Sequence, residues 1–358
     1  MEKKIIIVGA GLVGSLWAVY MRKAGYKVVI YERRSDIRKA EISAGKSINL
    51  ALSERGWNSL KTAGIKEDIE KIAIPMSGRV MHSEEGKLTY QAYGKKDEAI
   101  YSVSRGHLNA IMMDLAEKKG NSEIHYQHQC IDADLKNGKI TLKNLKTNEI
   151  FEDQADVVFA ADGAYSAIRY NSMQKVDRFN FSQFYVEDGY KELLLPAGPM
   201  GEYQIEKNAL HIWPRGRFML IALPNEDGSF TCTLFMPYEN HKYAFNDLDN
   251  DEKIDAFFKT VFPDFYNLMP NLIDNWHQNP LSSMSITRCY PWTIGKFALL
   301  GDSAHSTVPF YGQGMNAGFE DCFVMWELYN NYNNWDDTFR EFQIIRKPDG
   351  DALQDLSL

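Results

Sequence analysis

After Lys3-Lys4 the chain enters a run with no polar position, Ile5-Ile6-Ile7-Val8. A short, β-branched, wholly apolar run is what a strand covered on both faces of a parallel sheet requires. Gly9-Ala10-Gly11 stops it, the apolar stretch to Met21 reads as a connecting helix, and Lys27-Val28-Val29-Ile30 supplies a second strand. Ser53 to Ala63 has the caps and periodicity of a helix. Arg79 to Ser83 and Lys87 to Gln91 read as a hairpin turning at Glu84-Glu85-Gly86. Ser104 opens a helix running to Lys119, with Leu108, Ile111, Met112 and Leu115 on one stripe. Three short strands follow, with turns at Lys136-Asn137-Gly138 and Lys146-Thr147-Asn148, and then a buried strand over Ala155 to Ala160.

From about 172 to 290 the pattern becomes β-rich, with strands expected over Ala209 to Trp213, Phe218 to Leu223 and Phe230 to Met236. Lys296 to Leu300 then returns to the first pattern, and a long helix is expected from about Met315 to Tyr332. The predicted fold is α/β. A doubly wound, Rossmann-like nucleotide domain spans 1–171, including the hairpin, and an inserted β-sheet substrate domain spans 172–290. Residues 291–358 return to the first domain and begin a C-terminal helical region.

Composition narrows the class. With 358 residues, 44% hydrophobic and 25% charged, the chain can bury the core of about two ordinary globular domains. A formal charge of −8 leaves no basic footprint for nucleic acid or an anionic membrane. Cys130, Cys232, Cys289 and Cys322 show no metal-ligand or redox spacing, and the eight histidines are scattered. No metal is expected, and the cysteines read as reduced residues of a cytoplasmic protein. No run of about 18 apolar residues is available to span a membrane. The N-terminal stretch is not expected to be a secretory signal, because Tyr20-Met21-Arg22-Lys23 is no cleavage site.

The strongest chemistry sits at the ends of the predicted strands. Gly9-Ala10-Gly11-Leu12-Val13-Gly14 follows the first strand, and Tyr31-Glu32-Arg33-Arg34 closes the second, roughly 20 residues on, as a dinucleotide site requires. Gly9 permits the tight turn, Gly11 lets backbone approach a pyrophosphate, and Gly14 lets helix and strand pack; Glu32 is placed to accept from a ribose. Two more aspartates follow strands, in Asp162-Gly163-Ala164-Tyr165-Ser166-Ala167-Ile168-Arg169 and in Gly301-Asp302-Ser303-Ala304-His305. Either alone reads equally as an ordinary turn.

In this order the three signals resemble the signature of the class A flavoprotein aromatic hydroxylases, the fold group of para-hydroxybenzoate hydroxylase, and the resemblance covers the whole chain. Within that group the segments from Gly45 to Ser53, Leu210 to Arg215 and Val308 to Asp321 resemble those of the kynurenine 3-monooxygenases. The resemblance implies non-covalent FAD, with Asp302 on the ribityl chain and backbone N–H groups of Gly314, Met315 and Asn316 along the flavin. Arg105 resembles the family's FAD-contacting arginine, and Leu12, Val13, Tyr31, Arg33, Arg34, Ala51, Cys130 and Asp162 are implied to complete the cofactor site. Arg79 and Tyr93 resemble the pair that clamps the substrate's carboxylate, which suits a bidentate guanidinium and one directional phenol.

Met219, Ile221 and Leu223 share one strand face, which Leu210 and Phe235 can join; the default explanation is core. The resemblance makes that face the wall of an aromatic pocket, with Pro309 and Phe310 as its ceiling. His305 reads as a packed residue, and no side chain is expected to act as a catalytic base.

The activity implied is hydroxylation of L-kynurenine to 3-hydroxy-L-kynurenine with O2 through a C4a-hydroperoxyflavin. One nucleotide fingerprint leaves NADPH to dock transiently. The alternatives are a phenolic class A hydroxylase, an FAD reductase of the geranylgeranyl type, or a non-catalytic flavin-binding remnant. The resemblance also implies a C-terminal helical region continuing beyond Leu358 with further substrate contacts.

Overall fold

A computed structural model describes residues 3–39, 48–95, 98–118 and 120–358. In chain order it begins with β1 (Lys4–Val8), α1 (Leu12–Lys23), β2 (Lys27–Glu32), β3 (Asn49–Leu52), α2 (Glu54–Ala63), α3 (Lys66–Glu70) and β4 (Ile74–Met76). The hairpin β5 (Gly78–His82) and β6 (Leu88–Ala92) comes next, then β7 (Ile100–Ser104) and α4 (Arg105–Glu117). β8 (Ser122–Tyr126), β9 (His128–Asp134), β10 (Lys139–Asn144), β11 (Ile150–Gln154), β12 (Val157–Ala160) and α5 (Ala167–Asn171) complete the first part. The middle holds β13 (Asn180–Leu195), β14 (Ala209–Arg215), β15 (Phe218–Pro224), β16 (Phe230–Pro237), α6 (Asp251–Val261), α7 (Pro263–Tyr266), α8 (Leu272–Gln278) and β17 (Leu281–Tyr290). The chain closes with β18 (Thr293–Ile294), β19 (Phe297–Leu299), α9 (Asp302–His305), α10 (Gly314–Tyr332) and α11 (Trp335–Leu356).

β1 lies inside a six-stranded sheet of order β18-β19-β12-β1-β2-β8, parallel throughout except for β18 at its edge. Ile5, Ile6 and Ile7 are fully buried, as the uninterrupted apolar run requires. Parallel pairing brings the carboxyl ends of β1, β2, β12 and β19 to one edge of the sheet, where ligands of such folds bind. Gly9, Asp162 and Asp302 lie in the stretches that follow β1, β12 and β19, and Glu32 is the last residue of β2.

A seven-stranded sheet of order β17-β13-β16-β15-β14-β5-β6 forms the second layer. Its far face is packed by α6, α7 and α8, where Trp213, Phe230, Phe258, Phe262 and Phe265 are all buried. Each such ring contributes about 1.5–3 kcal/mol by leaving water.

Three expectations change here. The hairpin assigned to 1–171 pairs its β5 in parallel with β14, Arg79 opposite Leu210, and so belongs to the second sheet. That sheet also contains β13 and β17, and the segment carries three helices not expected from its β-rich character. The three short strands after α4 are β9, β10 and β11, a separate antiparallel meander, with β8 an additional strand beside β2. No helix among the described residues is long and apolar enough to cross a membrane.

Candidate active site

The turn after β1 leaves little choice of residue. Gly9 has φ +102° and donates its N–H to Tyr31 O at 2.8 Å; a Cβ there would lie 2.4 Å from Ala161 O. A Cβ on Gly14 would lie 2.0 Å from Gly9 O, whereas one on Gly11 would meet nothing within 4 Å. Gly9 and Gly14 therefore serve backbone packing, and Gly11 opens onto space. α1 starts there without a side-chain cap or an acid in its first turn, so its leading N–H groups face outward as an anion site.

Glu32, 3% exposed, accepts from Ala10 N at 2.9 Å and from Arg34 N and Nε, both at 2.9 Å. Burial alone would raise its pKa, but Arg34 and the Ala10 N–H hold the carboxyl below its usual range.

A cavity of about 970 Å³ extends from this turn to the seven-stranded sheet. Of the expected cofactor residues, Gly9, Gly11, Leu12, Val13, Tyr31, Glu32, Arg33, Arg34, Ala51, Arg105, Cys130 and Asp162 line it. Asp302, Gly314 and Met315 line it where the two sheets meet. The Tyr31 hydroxyl is already committed to Asp153 Oδ2 at 2.8 Å. The Cys130 thiol donates to Asp132 O, and burial pushes its pKa up, so it is no nucleophile.

Gly14 and Asn316 do not line the cavity. Asn316 is fully buried; its Oδ1 accepts from Ser53 N at 3.0 Å and its Nδ2 donates to Ala51 O at 2.9 Å and Gly312 O at 3.1 Å. It staples the start of α10 to the loop after β3. α10 begins at Gly314 with no side-chain cap, a second open helix N-terminus on the same cavity. Of the Gly45 to Ser53 segment, Gly45, Lys46 and Ser47 lie outside the described residues.

The two later Gly-Asp turns are joined by a residue the motif contained but whose task was not legible. Arg169 is fully buried, donates to Ala164 O in one turn and Ser303 O in the other, and lies about 5 Å from the Tyr170 and Phe181 rings. Asp162 Oδ2 accepts from Ala167 N at 2.7 Å, while its Oδ1 is buried without a partner among the described residues. Burial raises this carboxyl's pKa, against the hydrogen bonds from Ser166 and Ala167.

At the far end Leu210, Met219, Ile221, Leu223 and Phe235 line one wall, joined by Ile212 and Thr233, which alternate with Leu210 and Phe235 on their strands, and by Tyr190 of β13, which the sequence did not point to. Ile212 pairs with Ile221, and Ile221 with Thr233, so these side chains form a continuous row across three strands. Pro309 and Phe310 lie against it, with the Phe235 and Phe310 rings edge to face at 5.5 Å. Arg79 and Tyr93 line the same cavity from the hairpin. Arg79 Nε donates to Gln91 Oε1 at 2.8 Å, which aims the rest of the fork. Burial pushes the Tyr93 phenol up to about 12 while the Arg79 charge pulls it down, so the two act on each other. His305 is indeed packed, in α9, with Nε2 on Asp321 Oδ2.

The cavity fits a flavin dinucleotide. Besides two uncapped helix N-termini it presents three buried polar atoms with no partner among the described residues: Asp162 Oδ1, Asn109 Oδ1 and Thr307 Oγ1. Orphaned polar atoms facing one cavity await a polar ligand. Asn109 and Thr307 were not identified from the sequence, since nothing in their local pattern marks them.

Residues 2–340 match a family model described as an FAD binding domain. Kynurenine 3-monooxygenase of Flavobacterium psychrophilum is 48% identical over 99% of this chain and 79% of its own length. The enzymes of the same name from Myxococcus xanthus and Sus scrofa are 45% and 42% identical, with 76% and 74% of their lengths covered and 99% of this chain in both cases. Among solved structures, 2-methyl-3-hydroxypyridine-5-carboxylic acid oxygenase superposes with TM-score 0.81 at 19% identity, covering 99% of this chain and 90% of that one. An FAD complex of Klebsiella pneumoniae HpxO gives 0.79 at 19%, covering 99% and 88%, a likeness of fold. By the identity it shares with such relatives along almost its whole length, this chain belongs to the kynurenine 3-monooxygenase family of FAD-dependent aromatic hydroxylases.

Proposed function

We infer that the chain hydroxylates L-kynurenine at the ring carbon beside the amino group, giving 3-hydroxy-L-kynurenine. One atom of O2 enters the ring, the other leaves as water, and NADPH supplies the two electrons. The observation that carries the reading is one cavity with a nucleotide cradle at one end and, at the other, an apolar wall beside a guanidinium and a phenol. FAD, when bound, supplies the activation of dioxygen. Gly9, Gly11, Glu32, Arg105 and Asp302 would hold it, with the N–H groups at the starts of α1 and α10.

The chain's own work is then placement. Arg79 offers a bidentate fork to the amino-acid carboxylate and Tyr93 one further hydrogen bond. Leu210, Ile221, Leu223 and Phe235, with Pro309 and Phe310 opposite, press the aromatic ring into a fixed position and keep water out. No side-chain base is needed, because the substrate's aniline nitrogen already enriches the ring carbon that reacts. With no second cradle among the described residues, NADPH docks transiently, and the protein works in the cytoplasm.

NADPH oxidation by the FAD-loaded chain, followed with kynurenine, with para-hydroxybenzoate and with neither, tests this. Kynurenine should stimulate most and yield the 3-hydroxylated product. Equal stimulation by para-hydroxybenzoate would point to a phenolic hydroxylase instead.

A further inference from the structure

Behind the cavity wall lies a polar chain that the proposed reaction does not use. On β5, Arg79 faces the cavity, while His82 points to the opposite face and is 4% exposed. His82 Nδ1 lies 2.8 Å from Asp264 Oδ2 of α7, and His82 Nε2 lies 2.9 Å from His211 Nδ1 of β14. His211 Nε2 lies 2.8 Å from Glu206 O.

We propose that His82 is a buried imidazolium whose ion pair with Asp264 positions the hairpin bearing Arg79, and hence the clamp on the substrate's carboxylate. The identity of that carboxylate rests on the function proposed above; the charge on His82 does not.

The protons follow from the partners. A backbone carbonyl only accepts, so the proton of His211 is on Nε2. Burial pushes the pKa of His211 down to about 4, so this ring is neutral and its Nδ1 accepts. His82 Nε2 must then donate. Asp264 Oδ2 already accepts from Trp213 Nε1 at 2.8 Å, and although burial raises its carboxyl, the bonds from His82 and Trp213 hold it ionised. His82 Nδ1 must donate as well, and a ring with two donors carries a charge.

The surroundings suit a cation. The Trp213 ring stacks on His82 with centroids 3.9 Å apart and planes 24° apart, an arrangement that favours a cation over the indole face. Arg215 of β14 is the other cation here; its Nη1 donates to His82 O at 3.0 Å and its Nε to Val261 O at 2.8 Å. Glu84 and Glu85, in the turn after β5, act on Arg215. The charged groups facing His82 are thus Asp264 from α7, Arg215 from β14 and these two glutamates from its own hairpin, with neutral His211 between strands.

The latch spans three elements. His82 is three residues from Arg79, and His211 is one residue from Leu210, the register partner of Arg79. Loss of one proton from His82 removes one donor from a chain whose other members cannot supply it. The side-chain link from His82 to Asp264 or to His211 then fails, and Arg79 loses its fixed placement while the FAD cradle on the other sheet is untouched.

Histidine-selective 15N NMR of the FAD-loaded chain, with His82→Asn to assign the ring, tests the charge. At pH 7 both His82 nitrogens should resonate as protonated, and His211 as the neutral Nε2–H form. A single protonated nitrogen on His82 overturns the proposal. Steady-state kinetics of Asp264→Asn test the positioning: KM for kynurenine should rise about tenfold, the worth of one charge-assisted hydrogen bond. Turnover at saturation and FAD affinity should stay within about twofold. An unchanged KM in Asp264→Asn, or turnover and FAD retention falling together with it, overturns the positioning role. Kynurenine refused by the unaltered chain would count against the proposed function, and the NMR arm decides the charge by itself.

Discussion

His305 Nε2 lies 2.6 Å from Asp321 Oδ2, with His305 4% exposed and Asp321 fully buried. The same oxygen accepts from Gly301 N at 2.9 Å, and Asp321 Oδ1 accepts from Arg346 Nε at 2.9 Å. One carboxylate between an imidazole and a guanidinium thus anchors the turn that presents Asp302 to the cavity. Although burial raises it, His305 and Arg346 bring the Asp321 pKa down to about 2. Burial lowers that of His305, but Asp321 outweighs this and the net shift is upward.

These shifts give a stability profile with two slopes. A depressed carboxyl contributes stability that is present above its unfolded pKa of about 4 and is lost as pH falls toward about 2. A raised imidazole contributes stability that is full below about 6.5 and is lost as pH climbs through its folded value. Urea midpoints across pH should therefore be highest between these limits. Asp321→Asn should flatten both slopes and cost about 3–5 kcal/mol, the penalty for breaking a buried charge network.

Arg79→Met should weaken kynurenine binding by about 1.5–3 kcal/mol, the worth of a hydrogen bond between charged groups, since a carboxylate in that cavity loses its cationic partner. Arg79→Lys should recover only part, because an ammonium cannot reproduce the fork. Tyr93→Phe should cost less, about 0.5–3 kcal/mol. Flavin fluorescence titrated with kynurenine reads all three, and unchanged affinity in Arg79→Met would return Arg79 to the surface arginines.

Glu32→Ala should lower FAD affinity by roughly 1.5–3 kcal/mol, the worth of a hydrogen bond to a charged group. It also strips Ala10 N and Arg34 of their partner, and equilibrium dialysis of FAD should show the weaker binding even where the fold survives.

Two buried asparagines should behave oppositely. Asn316→Ala removes two bonds that join α10 to β3 and Ser53, and one to Gly312 O just ahead of the helix, and should lower the unfolding midpoint. Asn109→Ala removes an oxygen with no partner among the described residues, so it should leave stability within about 0.5 kcal/mol and weaken FAD instead. A midpoint drop in Asn109→Ala without any change in FAD affinity would contradict the cavity-facing role.

Much of this was legible because the chemistry sits at strand ends. A parallel sheet forces its carboxyl ends together, so three glycine and aspartate motifs far apart in sequence had one meeting place. That Met219, Ile221 and Leu223 share one face was legible from strand alternation; that the face is a pocket wall came only from the family resemblance. β13 escaped notice because Asp188, Lys191 and Glu192 interrupt its apolar pattern; the buried Lys191 donates to Asn279 O, a partner far along the chain. α6 did carry a signal, the Asn250 cap and Ile254, Phe257, Phe258 and Val261 at helical spacing, hidden by its β-rich neighbourhood. The His82 chain was illegible in principle, since its meaning depends on which nitrogen meets which acceptor.

The parallel pairing of β5 with β14 also governs what can be exchanged between relatives. Residues 172–290 look transplantable as one insert, yet removing them would leave the hairpin without its neighbour and expose the backbone edge of β5. A chimera carrying another relative's pocket must move 78–92 together with that insert. Altered substrate preference should then be hard to reach by swapping one contiguous block, and easier through paired changes on both stretches.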